Sequence, residues 1–83
     1  MTKDPEDPMS QQFLQVAHEL AVEADRMNIN GFQVKKRLNL ELEDYMSIVD
    51  GLEGAGYIVA PGGMAKDILL TDAGVRRVKR TGI

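Results

Sequence analysis

Apolar residues recur along the first third of the chain at steps of three and four. Phe13, Ala17, Leu20, Ala24 and Met27 follow Ser10 in this way, which is the period of one helical face. Ser10 offers a hydroxyl N-cap, so the pattern predicts a long first helix. Leu14, Ala21 and Val22 add a second apolar strip beside that face, with His18 and Asp25 among them. A helix apolar over so wide an arc sits deep in a core or meets a second surface. A chain of 83 residues has little depth. The expectation is therefore a homodimer contact through Leu14, His18, Ala21 and Val22, with a monomeric core as the alternative.

The period then changes. Asn28 to Gly31 breaks the helix, and Ile29 is placed to add a short strand. Phe32 to Leu38 predicts a short second helix with Val34 and Leu38 turned inward, followed by a turn at Asn39-Leu40. Glu41 to Glu53 predicts a third helix with Tyr45, Ile48 and Leu52 inward. Gly54 and Gly56 stop it, one of them in a left-handed cap. Tyr57 to Ala60 and Asp67 to Leu70 are rich in β-formers and flank a loop over Pro61 to Lys66. Thr71 caps a last helix, with Asp72 in its first turn and Arg76, Arg77, Lys79 and Arg80 toward its end, as the helix dipole favours. Residues 1–9, polar and acidic, are expected to be a disordered arm, and residues 10–83 one domain.

Composition narrows the function classes. Apolar residues make up 43% of the chain, enough for one core, and there is no cysteine. Disulfide frameworks, thiolate metal sites and cysteine nucleophiles are excluded. No apolar run reaches the roughly 20 residues that span a bilayer, and the N-terminus is no secretory signal, so a cytoplasmic protein is expected. His18 stands alone, and the Ser and Thr residues have no base at a recognisable spacing. Neither an enzyme, a metal site nor a cofactor is expected.

Net charge is −3, but it is segregated. Glu41, Glu43, Asp44, Asp50 and Glu53 make the third helix acidic. Lys35-Lys36-Arg37 and Arg76 to Arg80 make two basic segments. Solvated faces are the plainest reading of all three.

Residues 34–58 resemble, without a gap, the helix-turn-helix core of winged-helix regulators. Val34 and Leu38 match the apolar pair of the usual second helix, and Leu40 the apolar turn position. Tyr45, Ile48 and Leu52 match the buried positions of the recognition helix, and Gly56-Tyr57-Ile58 the step into the wing. Ile68-Leu69-Leu70-Thr71-Asp72-Ala73-Gly74 is similar to the strand-to-helix step of MarR-like and PadR-like repressors. The resemblance implies an α+β fold, mostly α: a three-helix core, a two- to three-stranded β-wing and a C-terminal helix. It also implies a small homodimeric transcriptional regulator that binds double-stranded DNA. On that reading Lys35, Lys36 and Arg37 touch phosphates, Gln33 and Ser47 add contacts, and Lys66 reaches from the wing.

The chain departs from the family pattern where DNA readers carry Ser, Thr, Arg, Lys and Gln. Glu41, Leu42, Glu43, Asp44, Met46 and Ser47 stand there instead, and Gly51 occupies a common Arg position. Three acids at the start of a helix suit its dipole. They do not suit a phosphate backbone with a charge every ~1.7 Å. Leu42, Met46 and Val49 form a further stripe at i, i+4 and i+7, unless Val49 sits in the core and Leu42 is partly covered by the second helix. The alternative function is therefore a protein-interaction module that uses this stripe with the acids as its rim.

Overall fold

The computed structural model describes residues 3–61 and 66–81. Among them are four helices and a three-stranded antiparallel sheet, a mostly helical α+β arrangement. Part of the expected loop, residues 62–65, lies outside the described residues.

Helix α1 spans Pro8–Ala24, not Ser10 to Met27. Pro8 fits the first turn because its φ is preset and it has no N–H to satisfy. The side chain of Asp7 caps the helix, accepting from the Met9 N–H at 2.9 Å. Ser10 is thereby displaced as the cap and lies inside, fully buried, with no hydrogen-bond partner for its hydroxyl among the described residues. At the other end Asp25 turns left-handed, with φ 56°, and its N–H reaches the carbonyls of Ala21 and Val22. Met27 then leads into strand β1, Asn28–Asn30. Residues 3–9 also depart from the expected disordered arm. Residues 3–7 lie against the folded domain, and Pro8 and Met9 are helical.

Helix α2 spans Gly31–Arg37 and starts under the side chain of Asn30, which accepts from the Phe32 N–H at 2.9 Å. Asn39, at φ 56°, turns the chain into helix α3, Leu42–Gly54. The end of α3 is a Schellman motif. Gly56 is left-handed at φ 82°, its N–H donates to Glu53, and the Tyr57 N–H donates to Leu52 at 3.0 Å. Strands β2, Ile58–Val59, and β3, Asp67–Leu70, follow, and then α4, Asp72–Thr81.

The sheet order is β1-β3-β2. Ile29 faces Ile68 across one ladder, and Ile58 faces Leu70 across the other. These four side chains are buried, while Val59 and Leu69 alternate outward, as strand period two requires. Inside, Tyr45 is packed between two rings. Phe13 lies 5.7 Å away and Phe32 5.4 Å, both tilted, which is a favourable aromatic arrangement.

The wide apolar arc of α1 is filled from within the chain. It packs on α2, α3, α4 and β1. Leu14 and Ala21, expected on a dimer surface, are 0% and 3% exposed in the single chain. The last helix also packs on α1. Of the four residues expected in a dimer contact, Val22 is open and His18 is half-buried.

Thr71 closes the fold. Its hydroxyl donates to the Gly56 carbonyl at 2.6 Å and accepts from the Gly74 N–H at 3.0 Å, and its own N–H donates to Tyr57 at 3.2 Å. A Cβ on Gly74 would stand 2.1 Å from the Tyr57 carbonyl oxygen, so α4 starts hard against the α3–β2 turn. Thr71→Ala should cost about 0.5–2 kcal/mol through the lost cap. At roughly 4–8 °C per kcal/mol for a domain this small, thermal unfolding will register it. Gly74→Ala should destabilise by about 1–3 kcal/mol through overpacking, although alanine is the better intrinsic helix former. A melting temperature equal to wild type in either variant would contradict this junction.

Candidate docking face and basic groove

Helical period divides α3 cleanly. Tyr45, Ile48, Val49 and Leu52 point inward and are at most 1% exposed. Val49 therefore leaves the expected surface stripe and belongs to the core. Leu42 and Met46 stay on the surface, at 56% and 37% exposed. Glu41, Glu43, Asp44, Asp50 and Glu53 are also exposed on this helix and its cap. From Glu41 to Gly54 the helix and its cap contain five acids and no Lys, Arg or His. Glu53 also serves the fold, accepting from the Ala60 N–H at 3.1 Å. Ser47, expected to contact DNA, donates its hydroxyl to the Glu43 carbonyl of its own helix at 3.1 Å.

The expected basic residues fall into separate places. Gln33, Lys36 and Arg37 line one shallow groove with Leu20 of α1. Arg37 pairs there with Glu19 at 3.8 Å, both half open to solvent, a geometry worth about 0–1 kcal/mol. Lys35 is half-buried on α2. Lys66 is exposed beside the start of α2, where its carbonyl accepts from the Gly31 N–H at 2.7 Å. It is thus about 10 Å of helix from Arg37, at 1.5 Å per residue. The second helix and Lys66 of the β2–β3 connection contribute cations, whereas α3 presents acids.

His18 and Val22 border two shallow depressions on α1, one with Arg37 and one with Met27 and Val75. No group of three or more His, Asp or Glu among the described residues is placed to hold a metal ion. No helix among them is long and apolar enough to cross a membrane.

A second cluster escaped the sequence pattern. Glu6 pairs with Arg77 and accepts from the Tyr57 hydroxyl at 3.3 Å, and Arg77 Nε donates to Gln11 at 3.2 Å. A cavity lined by Lys3, Asp4, Pro5, Asp50, Gly51 and Gly54 lies between the N-terminal segment and α3. Gly51 was the available signal. A glycine inside a helix costs about 0.5–1 kcal/mol relative to alanine and so marks a close approach.

No protein-family model, curated protein or solved structure matches this chain.

Tyr45 ties the α3 face to the sheet. Burial, and then the Asp67 carboxylate, push its hydroxyl up from 10.0 to about 12. The folded state thus holds this proton more tightly than the unfolded chain does. The resulting stability is complete below pH 10 and is lost as pH rises through 12. In a Tyr57→Phe background, tyrosinate absorbance should rise near pH 12 rather than 10. Adding Tyr45→Phe should flatten the fall of stability across that window.

Proposed function

We propose that this chain is a winged helix-turn-helix domain that binds a basic protein segment through the outward face of α3. The family resemblance, the β1-β3-β2 order and the Thr71 cap support the fold. The observation that carries the function is the pair of exposed apolar side chains, Leu42 and Met46, on a helix that carries five exposed acids. Apolar anchors exclude water and give affinity, while rim charges steer the encounter and select the partner's sign. The fitting partner presents one or two apolar side chains flanked by Lys or Arg, most simply on an amphipathic helix. Phosphates facing the same helix would meet only like charge.

A second reading keeps duplex DNA as the partner of a homodimeric regulator. It is favoured by the grouping of Gln33, Lys36 and Arg37 in one exposed groove, with Lys66 at the other end of α2. Lys35 and Ser47 would add to it. On this reading phosphate contacts from α2 carry nearly all the affinity.

One titration separates the two. A Leu/Lys amphipathic helical peptide and a mixed-sequence DNA duplex, each fluorescent, are titrated with the full chain at about 50 mM salt, where electrostatic association is strong. The docking reading expects peptide binding, and Leu42→Ala or Met46→Ala should each weaken it by roughly fivefold or more, as interface anchors do. Glu41→Gln/Glu43→Gln should weaken peptide binding further. The DNA reading expects duplex binding that Lys36→Glu reduces for all sequences and that Glu41→Gln/Glu43→Gln strengthens. Duplex binding with no peptide binding would overturn the docking reading.

A further inference from the structure

The segment Lys3 to Asp7 is built as a strap across α3. Its sequence, Lys-Asp-Pro-Glu-Asp, forms its own turn: the Asp7 N–H donates to the Asp4 carbonyl at 3.0 Å, and Asp4 Oδ1 accepts from the Glu6 N–H at 2.9 Å. Asp at the first position and Pro at the second are what a type I turn prefers. The turn sends Lys3 onto α3, where its N–H donates to the Ser47 carbonyl at 3.0 Å. The seat requires a glycine, since a Cβ on Gly51 would stand 1.9 Å from the Lys3 carbonyl oxygen. At the other end Pro5 accepts from Gln11 Nε2 at 2.6 Å, and Glu6 is held by Arg77 and the Tyr57 hydroxyl.

These attachments are polar and partly open to water. The side chain of Arg77 is 24% exposed and that of Glu6 51%. Half-solvated ion pairs contribute little, so the strap is held lightly compared with the core beneath it. Its position matters more than its strength. On the 100° period of α3, Ser47 lies between the centre of the outward face, at Glu43, Asp50 and Gly54, and the Gly51 edge. Leu42 and Met46 lie on the opposite edge. A helix with its side chains is about 10–12 Å wide. A chain laid along its flank adds several ångströms, as adjacent strands about 4.8 Å apart show. With the strap seated, α3 no longer fits a groove made for one helix, whether in a protein or in duplex DNA.

We propose that residues 3–7 are a releasable strap that gates access to the Ser47–Gly54 flank of α3, latched by Glu6 on Arg77 and Tyr57. Closed, it covers the Ser47–Gly51 flank and leaves the Leu42–Met46 edge open. Open, it frees the whole outward face. The gate concerns the same helix as the docking reading above, but its test involves no partner, so either can fail without the other.

The chain has no cysteine, so Ser47→Cys in the full chain places a single thiol beside the strap. Its alkylation rate reports access to the flank. Combining it with Gly51→Ala, which blocks the seat, or with Glu6→Gln, which breaks the latch, should each raise that rate by about fivefold or more, the population change expected when one weak set of contacts is lost. Backbone order parameters give the second readout. Asp4, Glu6 and Asp7 should be near 0.85 in wild type and fall below about 0.6 in Gly51→Ala, the values of rigid and flexible backbone. Chemical shifts should show α3 still helical. Wild-type values already below 0.6 at these residues, or alkylation rates unchanged in both double variants, would overturn the gate.

Discussion

The joint between the end of α3 and the start of α4 is the constraint on which the rest of the structure depends. Gly56 must be left-handed to reverse the chain. Tyr57 must then present its carbonyl to the Thr71 N–H while Gly74 lies against it. Thr71 joins the two halves with one hydroxyl that donates to one and accepts from the other. Because this joint fixes where α4 begins, it also fixes how α4 lies along α1. Leu14 and Ala21 are buried on α1, which packs on α4 as well as on α2, α3 and β1.

Small size makes this dependence sharp. A domain of this length buries a modest share of its surface, so each element must serve more than one neighbour. Strand β1 has three residues, yet it pairs with β3 and connects α1 to α2. Tyr45 packs against rings from α1 and α2 and lies close enough to Asp67 of β3 to sense its charge. Its burial keeps α3 seated, and with α3 the acids and the two apolar side chains on the opposite face of the same helix.

Much of this order was legible in the residues, because it rests on local chemistry. The span Asp67–Leu70, the Thr71 cap, the strand at Ile29 and the glycine stop of α3 follow from residue types whose backbone preferences are strong. The errors fell where competing local signals or distant contacts decide. Ser10 lost the N-cap to Asp7 because a proline at the next position sets the helix start one turn earlier. Leu14 and Ala21 are buried where a dimer surface is expected, because periodicity gives an arc but not what covers it. The seating of Lys3 on Gly51 joins residues 48 apart in sequence, and no window-based pattern reports such a pair.

The separation of charge has a physical consequence for recognition. Had the acids of α3 been interleaved with the cations of α2, short-range pairing would have neutralised both. Among the described residues α2 forms one salt bridge, Arg37 with Glu19 of α1, and α3 forms none. The acids of α3 therefore project a field of one sign over the Leu42–Met46 edge, effective over about the 8–10 Å that physiological salt permits. On the docking reading proposed above, a partner comes within that distance, carries the opposite sign and brings an apolar group to displace water from two side chains. The strap adds a condition of shape to those of charge and polarity, since it lies on the opposite edge and leaves that apolar edge open. On the proposed gate, binding at the open edge needs no release, whereas engagement of the whole face does. One glycine and one lightly held turn would then set two grades of contact with the same helix.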